Sequence, residues 1–311
     1  MSRLRAPALV IAVLLLVAGC QPRFDGLRLR ITTGVAGAVY NQLGTALSQA
    51  WSAELGITSE VQTSAGSGEN LDRLLAGQSD IGISAADAAA DRAAQPDGRR
   101  LRALARMHDD YIQVVVPAGS RVQQLSDLRG LRVSVGPSDS GVRLVADRLL
   151  AIAGLSHDTD LDRRELALDQ AADALARGGI DAFFWSGGLP TEQVQQLAQR
   201  MPIRIVDLSG VIAAVLRQYP AVYQSATLPA SAYRLATPVT TLTVPNFLLV
   251  TDSMAGDVAE ALTEGVFAAQ SSLAAANRAA RSIDVRSGIE TVPIPLHSGA
   301  LAYYRAAHYV E

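Results

Sequence analysis

The chain contains no lysine: all 27 basic residues among its 311 are arginine. Chemistry that needs a lysine amine is closed to it, whether a Schiff base, a Walker A phosphate loop or a kinase-type lysine. Cysteine occurs once, at Cys20, which excludes an internal disulfide and a cysteine-rich zinc or iron–sulfur site. Of the histidines, His108, His157, His297 and His308, no two stand at the close spacing of metal ligands, so no metal and no cofactor is expected. Basic residues are outnumbered by 30 acidic ones, for a formal net charge of -3, and no basic stripe marks a nucleic-acid partner. There is no GxSxG elbow and no histidine following a plausible serine loop. A hydrolase triad is therefore not supported, and an enzyme is not expected.

What the chain does have is apolar material, 49% hydrophobic against 18% charged residues. That suffices for a packed core, and the length suggests about two domains. The first twenty residues read as an export leader. Arg3 and Arg5 precede the uncharged run from Ala8 to Ala18, which ends in Val17-Ala18-Gly19-Cys20. Small residues before a cysteine resemble a bacterial lipobox, and the single cysteine stands where lipidation needs it. The run is shorter than the roughly 18–20 apolar residues of a spanning helix. The expectation is a lipoprotein signal peptide over 1–20, lipidation at Cys20, a tether over 21–26 and an extracytoplasmic body held to the cell membrane.

Along that body the pattern is strand, small-residue turn, amphipathic helix, repeated. Leu27 to Ile31 alternates as a strand, and Val39 to Trp51 recurs at helical spacing. Strands are expected at 57–63, 81–84, 101–105, 113–116, 131–135, 180–184, 203–207 and 242–250, the last interrupted by Pro245. Helices are expected near 71–75, 142–152, 171–177 and 191–199, with one long helix over 255–280 and an irregular stretch over 220–240. This is the signature of parallel sheets covered by helices. Four strands end in loops of small residues that open a helix, at 33–38, 64–69, 136–141 and 186–190. In open α/β sheets such loops present unpaired N–H groups to ligands, and those groups suit carboxylate or phosphate oxygens. Each loop alone is also an ordinary capped turn; four together point to a small-molecule cleft.

Four motifs in order resemble the TAXI-type solute receptors of TRAP (tripartite ATP-independent periplasmic) transporters. They are Thr33-Gly34-Val35-Ala36-Gly37-Ala38-Val39-Tyr40; Ser67-Gly68-Glu69-Asn70-Leu71; Ile180-Asp181-Ala182-Phe183-Phe184 with Gly187-Gly188-Leu189-Pro190-Thr191; and Pro295-Leu296-His297-Ser298-Gly299-Ala300 ahead of Tyr303-Tyr304. The resemblance runs from about Ile31 to Tyr304. It implies an α/β, class II periplasmic-binding-protein fold: two α/β lobes joined by crossover strands around a ligand cleft. The crossovers would lie near 113–116 and 243–248, with lobe one at 27–112 plus 246–311 and lobe two at 113–245. It also implies a receptor that acts as a monomer. Such a receptor captures a small organic solute, a carboxylate or an amino acid, for an integral-membrane permease of TRAP type. A ligand-binding sensor for a membrane signalling partner is the alternative, since the two differ only in their docking surface.

The departures bear on the ligand. The first loop is poorer in glycine than the family pattern, and Ala85 replaces a frequent glutamine, leaving only Asp87 of that motif. Asp139 stands where the family prefers glycine. A carboxylate facing the cleft there would repel an acidic head or pair with an amine; otherwise it points to solvent or caps a helix. The candidate ligand-binding residues are Gly34, Gly37, Tyr40, Ser67, Asn70, Asp87, Ser138, Ser140, Gly141, Trp185 and Gly188. Tyr40 either leans over the ligand or belongs to the core. Ser67 and Asn70 either bind or cap. Ser140 and Gly141 are the oxyanion contact of lobe two, and Trp185 is a cleft wall or packing. His297 reads as structural. His108 and His157 read as surface-loop residues, and the pairs Arg99-Arg100 and Arg163-Arg164 as solvated faces.

Overall fold

The computed structural model describes residues 23–138, 140–156 and 159–308. The expected leader, Cys20, Asp139 and His157 lie outside the described residues. Among the described residues no helix is long and apolar enough to cross a membrane.

Among the described residues, ten strands are connected by hydrogen bonds: β1 (Arg28–Thr32), β2 (Thr58–Gln62), β3 (Ile81–Ala85), β4 (Leu101–Pro117), β5 (Arg132–Ser134), β6 (Asp162–Arg164), β7 (Ala182–Gly187), β8 (Ile203–Ile205), β9 (Gln224–Leu228) and β10 (Val239–Thr251). Their order is β2-β1-β3-β10-β4-β7-β5-β6, with β8 on β4 and β9 on β10. The pairing divides them into two lobes. In the first, β1 lies parallel to β2 and β3, and the later half of β10 runs antiparallel to β3 and to the start of β4. In the second, the later part of β4 pairs antiparallel with β7 and β8, β5 lies parallel to β6 and β7, and the start of β10 carries β9. Tyr111 is where β4 changes partners, facing Thr243 of β10 on one side and Gly187 of β7 on the other.

Helices cover both lobes. Helix α1 (Val39–Leu55) buries Leu43, Leu47, Trp51 and Leu55, one per turn, and ends at Gly56 in the left-handed conformation, φ 70°. Trp51 is fully buried and its Nε1 donates to the Leu262 carbonyl at 3.2 Å. The other helices are α2 (Ser67–Leu75), α3 (Ala86–Ala93), α4 (Gly141–Ile152), α5 (Leu168–Ala176), α6 (Glu192–Arg200), α7 (Ser209–Gln218), α8 (Gly256–Ala268), α9 (Gln270–Ala276), α10 (Val285–Gly288) and α11 (Ser298–Ala306). One core cluster gathers Leu43, Leu47, Trp51, Leu262 and Tyr304 within the first lobe, and another gathers Val115, Phe183, Leu197 and Leu228 within the second. A third is shared: Leu71, Ala86 and Ala89 of the first lobe pack with Val142, Val145 and Leu149 of the second.

Several elements depart from the reading of the sequence. The two strands expected at 101–105 and 113–116 are one strand of 17 residues. Pro245 does not interrupt β10, because a shift of register between Pro245 and Phe247 absorbs its missing N–H. The long helix over 255–280 divides at Ala269 into α8 and α9, followed by a 3₁₀ turn, Arg278–Ser282. The stretch over 220–240 contains β9. The tether is docked from Phe24 onward: its N–H donates to Leu55 O at 2.7 Å and its ring packs on the first-lobe core. Arg163 is no solvated residue, since its side chain is 13% exposed and lies between Asp147 and Glu165.

The closing motif holds the C-terminal helix against α8. His297 is buried, and its Nδ1 accepts from the N–H of Gly299 at 3.1 Å, capping α11. Gly299 approaches the α8 backbone so closely that a Cβ there would fall 2.0 Å from Gly256 O. Gly299→Ala is expected to cost about 1–3 kcal/mol in overpacking, read as a lowered midpoint in thermal and urea unfolding. Gly210→Ala, where the space is open, should leave the midpoint unchanged or raise it. Burial holds the His297 imidazole below its ordinary pKa. Its contribution to stability is therefore complete above about pH 6.5 and lost as pH falls below that value. A melting temperature that declines as pH falls below about 6.5 in the parent, and less steeply in His297→Asn, is the expected pattern.

Candidate functional site

The carboxyl ends of the parallel strands lead into loops and helices beside the crossing of β4 and β10. From the first lobe, β1 leads into the loop holding Gly34 and Gly37, and β3 leads into α3. Gly34 is buried, and its carbonyl accepts from Ser64 N at 3.2 Å. Gly37 is exposed with φ 77°, which suits glycine, and its N–H donates to Asn41 Oδ1 at 3.1 Å. Tyr40, in the first turn of α1, reaches inward. Its hydroxyl lies 3.3 Å from Ser67 Oγ and donates to Asn246 Oδ1 in the middle of β10. Burial, and after it the Asp110 carboxylate, hold this phenol well above its ordinary pKa, so it remains protonated.

Ser67 opens α2, and its Oγ accepts from Ala85 N at 3.1 Å. Asn70 is fully buried and wholly committed to the protein. Its amide donates to the carbonyls of Thr33 and Ile83, and its Oδ1 accepts from Thr32 Oγ1 at 2.6 Å and Ser64 Oγ at 2.7 Å. It ties β1, β3 and the second loop together and has no valence left for a solute. Asp87 is likewise engaged, accepting from Tyr223 Oη at 2.9 Å; burial raises its pKa and nearby Arg148 opposes that rise.

From the second lobe, Ser140 caps α4, accepting from Arg143 N at 3.2 Å, and Gly141 begins the helix. The two lobes meet here. A Cβ on Gly141 would stand 3.7 Å from Ser67 Oγ, and one on Gly188 would stand 3.0 Å from the Ala279 Cβ. The N-termini of α2 and α4 thus converge from opposite lobes, each with first-turn N–H groups that have no partner inside its helix. A groove of about 340 Å³ opens beside this junction, lined by Gly68, Ala88, Ser138, Ser140, Gly141 and Arg143, with Leu144 and Asp147. It is bordered by two of the four small-residue loops. Trp185 is half-buried and donates from Nε1 to Thr191 Oγ1 at 3.0 Å, folding over Gly187, where a Cβ would meet its ring nitrogen at 2.6 Å.

The two strands that run between the lobes carry buried polar residues the reading of the sequence passed over. His108 is no surface-loop residue: it lies within β4, 1% exposed, with its ring 6.0 Å from that of Tyr40 and edge-on to it. Neither of its ring nitrogens makes a hydrogen bond; its Nε2 stands 3.4 Å from Asp110 Oδ1. Gln113 Oε1 is also buried without a partner. Asn246 donates to His108 O at 3.2 Å. Polar residues inside a buried strand are the signal that could have singled them out, since a strand buried on both faces is normally a continuous apolar run. Among the described residues, no group of three histidine, cysteine or acidic side chains could hold a metal ion.

Comparison with known proteins bears on the fold. Residues 31–307 match the NMT1-like family. The periplasmic aliphatic sulphonate binding protein SsuA of Escherichia coli is 16% identical, over 90% of this chain and 78% of that one, with a TM-score of 0.51. XAC2383 of Xanthomonas citri, solved bound to ATP, is 17% identical over 91% and 99%, with a TM-score of 0.55. A binding-protein component of an ABC phosphonate transporter from Pseudomonas aeruginosa is 10% identical over 82% and 80%, with a TM-score of 0.57. At these identities the likeness speaks for the fold, the two-lobed periplasmic-binding-protein type.

The Asn70 network generates a test. Asn70→Ala leaves buried carbonyls and hydroxyls unsatisfied at about 1–3 kcal/mol each. The expected result is a large drop in the urea midpoint that Asn70→Asp, which cannot supply both amide donors, does not restore.

Proposed function

The chain belongs to the NMT1-like family, and from that premise we propose that it is an extracytoplasmic solute receptor, which captures a small oxyanion-bearing molecule between its lobes and hands it to a membrane permease. The observation that carries the reading is the convergence of two helix N-termini, one from each lobe, at Ser67 and Gly141. Aligned peptide dipoles and unpaired N–H groups favour an anionic head there, whether carboxylate, sulfonate or phosphonate. Asp110, 8% exposed on β4 beside His108, suits an amine or hydroxyl on the same solute, which makes amino acids and their sulfonate counterparts the preferred candidates. Recognition by main-chain amides needs no lysine, in keeping with a chain that has none.

The lobes are taken as 27–112 with 246–311, and 113–245. Strand pairing supports this division, with β4 exchanging β10 for β7 at Tyr111. The four motifs quoted from the sequence support a TAXI-type receptor and a TRAP-type permease, and the lipobox supports tethering through Cys20. Capture proceeds by closure: a solute that binds both lobes stabilises the shut arrangement over the open one.

Thermal unfolding of the purified protein against glutamate, succinate, taurine and methylphosphonate tests the ligand class. A solute present at a hundredfold excess over its dissociation constant adds about 2.7 kcal/mol of stability. One class is expected to raise the melting temperature; no shift with any of the four would sink the oxyanion reading. Gly141→Asp, which sets a carboxylate at the junction, is expected to weaken that shift at least tenfold in ligand concentration. The unliganded protein should be as stable as the parent, because an acidic residue in the first turn of a helix is favourable in itself.

A further inference from the structure

Away from the junction of the two helix N-termini, a second set of contacts joins the lobes, and it is made of side chains. Asp87 and Asp91 lie on α3, which follows β3 in the first lobe. Arg148 lies on α4, which follows β5 in the second. Tyr219 ends α7, and Tyr223 precedes β9, again in the second lobe. Tyr223 Oη donates to Asp87 Oδ2 at 2.9 Å and accepts from Arg148 Nη1 at 3.0 Å. Arg148 Nη2 donates to Asp91 Oδ1 at 2.5 Å. The guanidinium lies 4.2 Å from the centroid of the Tyr219 ring, whose edge meets Tyr223. Asp87, Tyr223 and Arg148 are 1%, 3% and 8% exposed.

A charge this deep is tolerated only where partners replace its lost water. Here the partners come from opposite lobes, so the cluster is satisfied in one interlobe arrangement alone. When the lobes part, Asp87 loses the Tyr223 hydroxyl and Arg148 loses Asp91, and water must replace both. The cluster therefore distinguishes open from shut without touching the site of the helix N-termini.

We propose that Asp87, Tyr223, Arg148 and Asp91 form an interlobe clasp that sets how much of the solute-free protein is already shut. Its effect on affinity rests on the receptor reading: apparent affinity scales with the fraction of the population in the binding-competent state. These are positioning residues, since none of them lines the groove at the junction of the helix N-termini. Asp87, a candidate ligand contact on sequence grounds, belongs to the clasp.

The test needs no solute, so it stands apart from the thermal screen. In a Cys20→Ser background the chain is free of native cysteine, and spin labels can be placed at Glu54→Cys on α1 and Gln199→Cys on α6, both exposed. Pulsed electron spin resonance then reads the distance between the lobes. The parent is expected to give one narrow short distance. Tyr223→Phe, which removes a single oxygen, and Arg148→Met are each expected to raise the ratio of long to short distances at least tenfold. Both should retain a cooperative melt. If both variants keep the parental distance distribution and only melt earlier, the cluster is mere packing and the clasp is refuted. A parent that is already broadly open refutes it too.

Discussion

The antiparallel pairing of β4 with β10 is the constraint from which the rest of the molecule follows. Each strand is long enough to serve both lobes, and each changes partners partway along. Because both pass through the gap, the backbone there is held by ladder hydrogen bonds while side chains of either lobe approach it from the flanks. A strand in the middle of a domain would be expected to carry apolar residues throughout. These two depart from that pattern and carry His108, Asp110, Gln113 and Asn246 at the crossing. The same pairing places the carboxyl ends of β1, β3, β5 and β7 opposite one another, so helices that open after them point their N-termini inward.

The two kinds of interlobe contact divide the work. Helix N-termini offer amide groups that are weakly committed, with Ser67 and Ser140 holding the first turns in shape. Side-chain charge near that junction is already paired: Arg143, which lines the groove, is spent on Asp147 and Glu165, Arg148 on tyrosine and aspartate, and Arg106 on Asp109 and Glu290. An uncommitted guanidinium beside the helix N-termini would bind any anion tightly and indiscriminately. On the receptor reading proposed for this chain, recognition by oriented dipoles gives up strength for geometry, which suits a protein that must also release its solute.

Most of the first lobe was legible as periodicity. Helix α1 shows its buried stripe at four-residue spacing, β1 alternates, and the small-residue loops after 32 and 62, like that after 134 in the second lobe, mark the junctions where helices open. What was not legible depended on contacts distant in sequence. The segment 106–112 reads as a polar loop because Arg106, His108, Asp109 and Asp110 break the alternation, yet β10 and β7 hold it as strand from either side. Short β6 and β9 have no pattern of their own and exist as partners of β5 and β10. Asp87 stood out through the family resemblance, and Asn70 as a polar residue at the start of a helix. Their employment was not, because Tyr223 lies 136 residues from Asp87 and Thr32 lies 38 from Asn70.

Asn70 and Tyr40 illustrate why residues near a site resist assignment from a motif alone. Both belong to stretches of small and polar residues that read equally well as ligand contacts and as caps. Asn70 has every hydrogen-bonding valence filled by the lobe it sits in, so its value to binding is indirect: it fixes the loop from which Ser67 projects. Tyr40 differs, since its hydroxyl is shared between Ser67 and Asn246 and stands over His108, whose ring nitrogens make no hydrogen bond. A phenol held protonated by burial has one hydrogen to give. An arriving oxyanion must either draw that hydrogen from Asn246 or accept from the amides alone. The first course would let the crossing strands sense the guest directly, because Asn246 also grips the backbone of His108. Capture at the helix N-termini and the set of the hinge would then be linked through one hydroxyl.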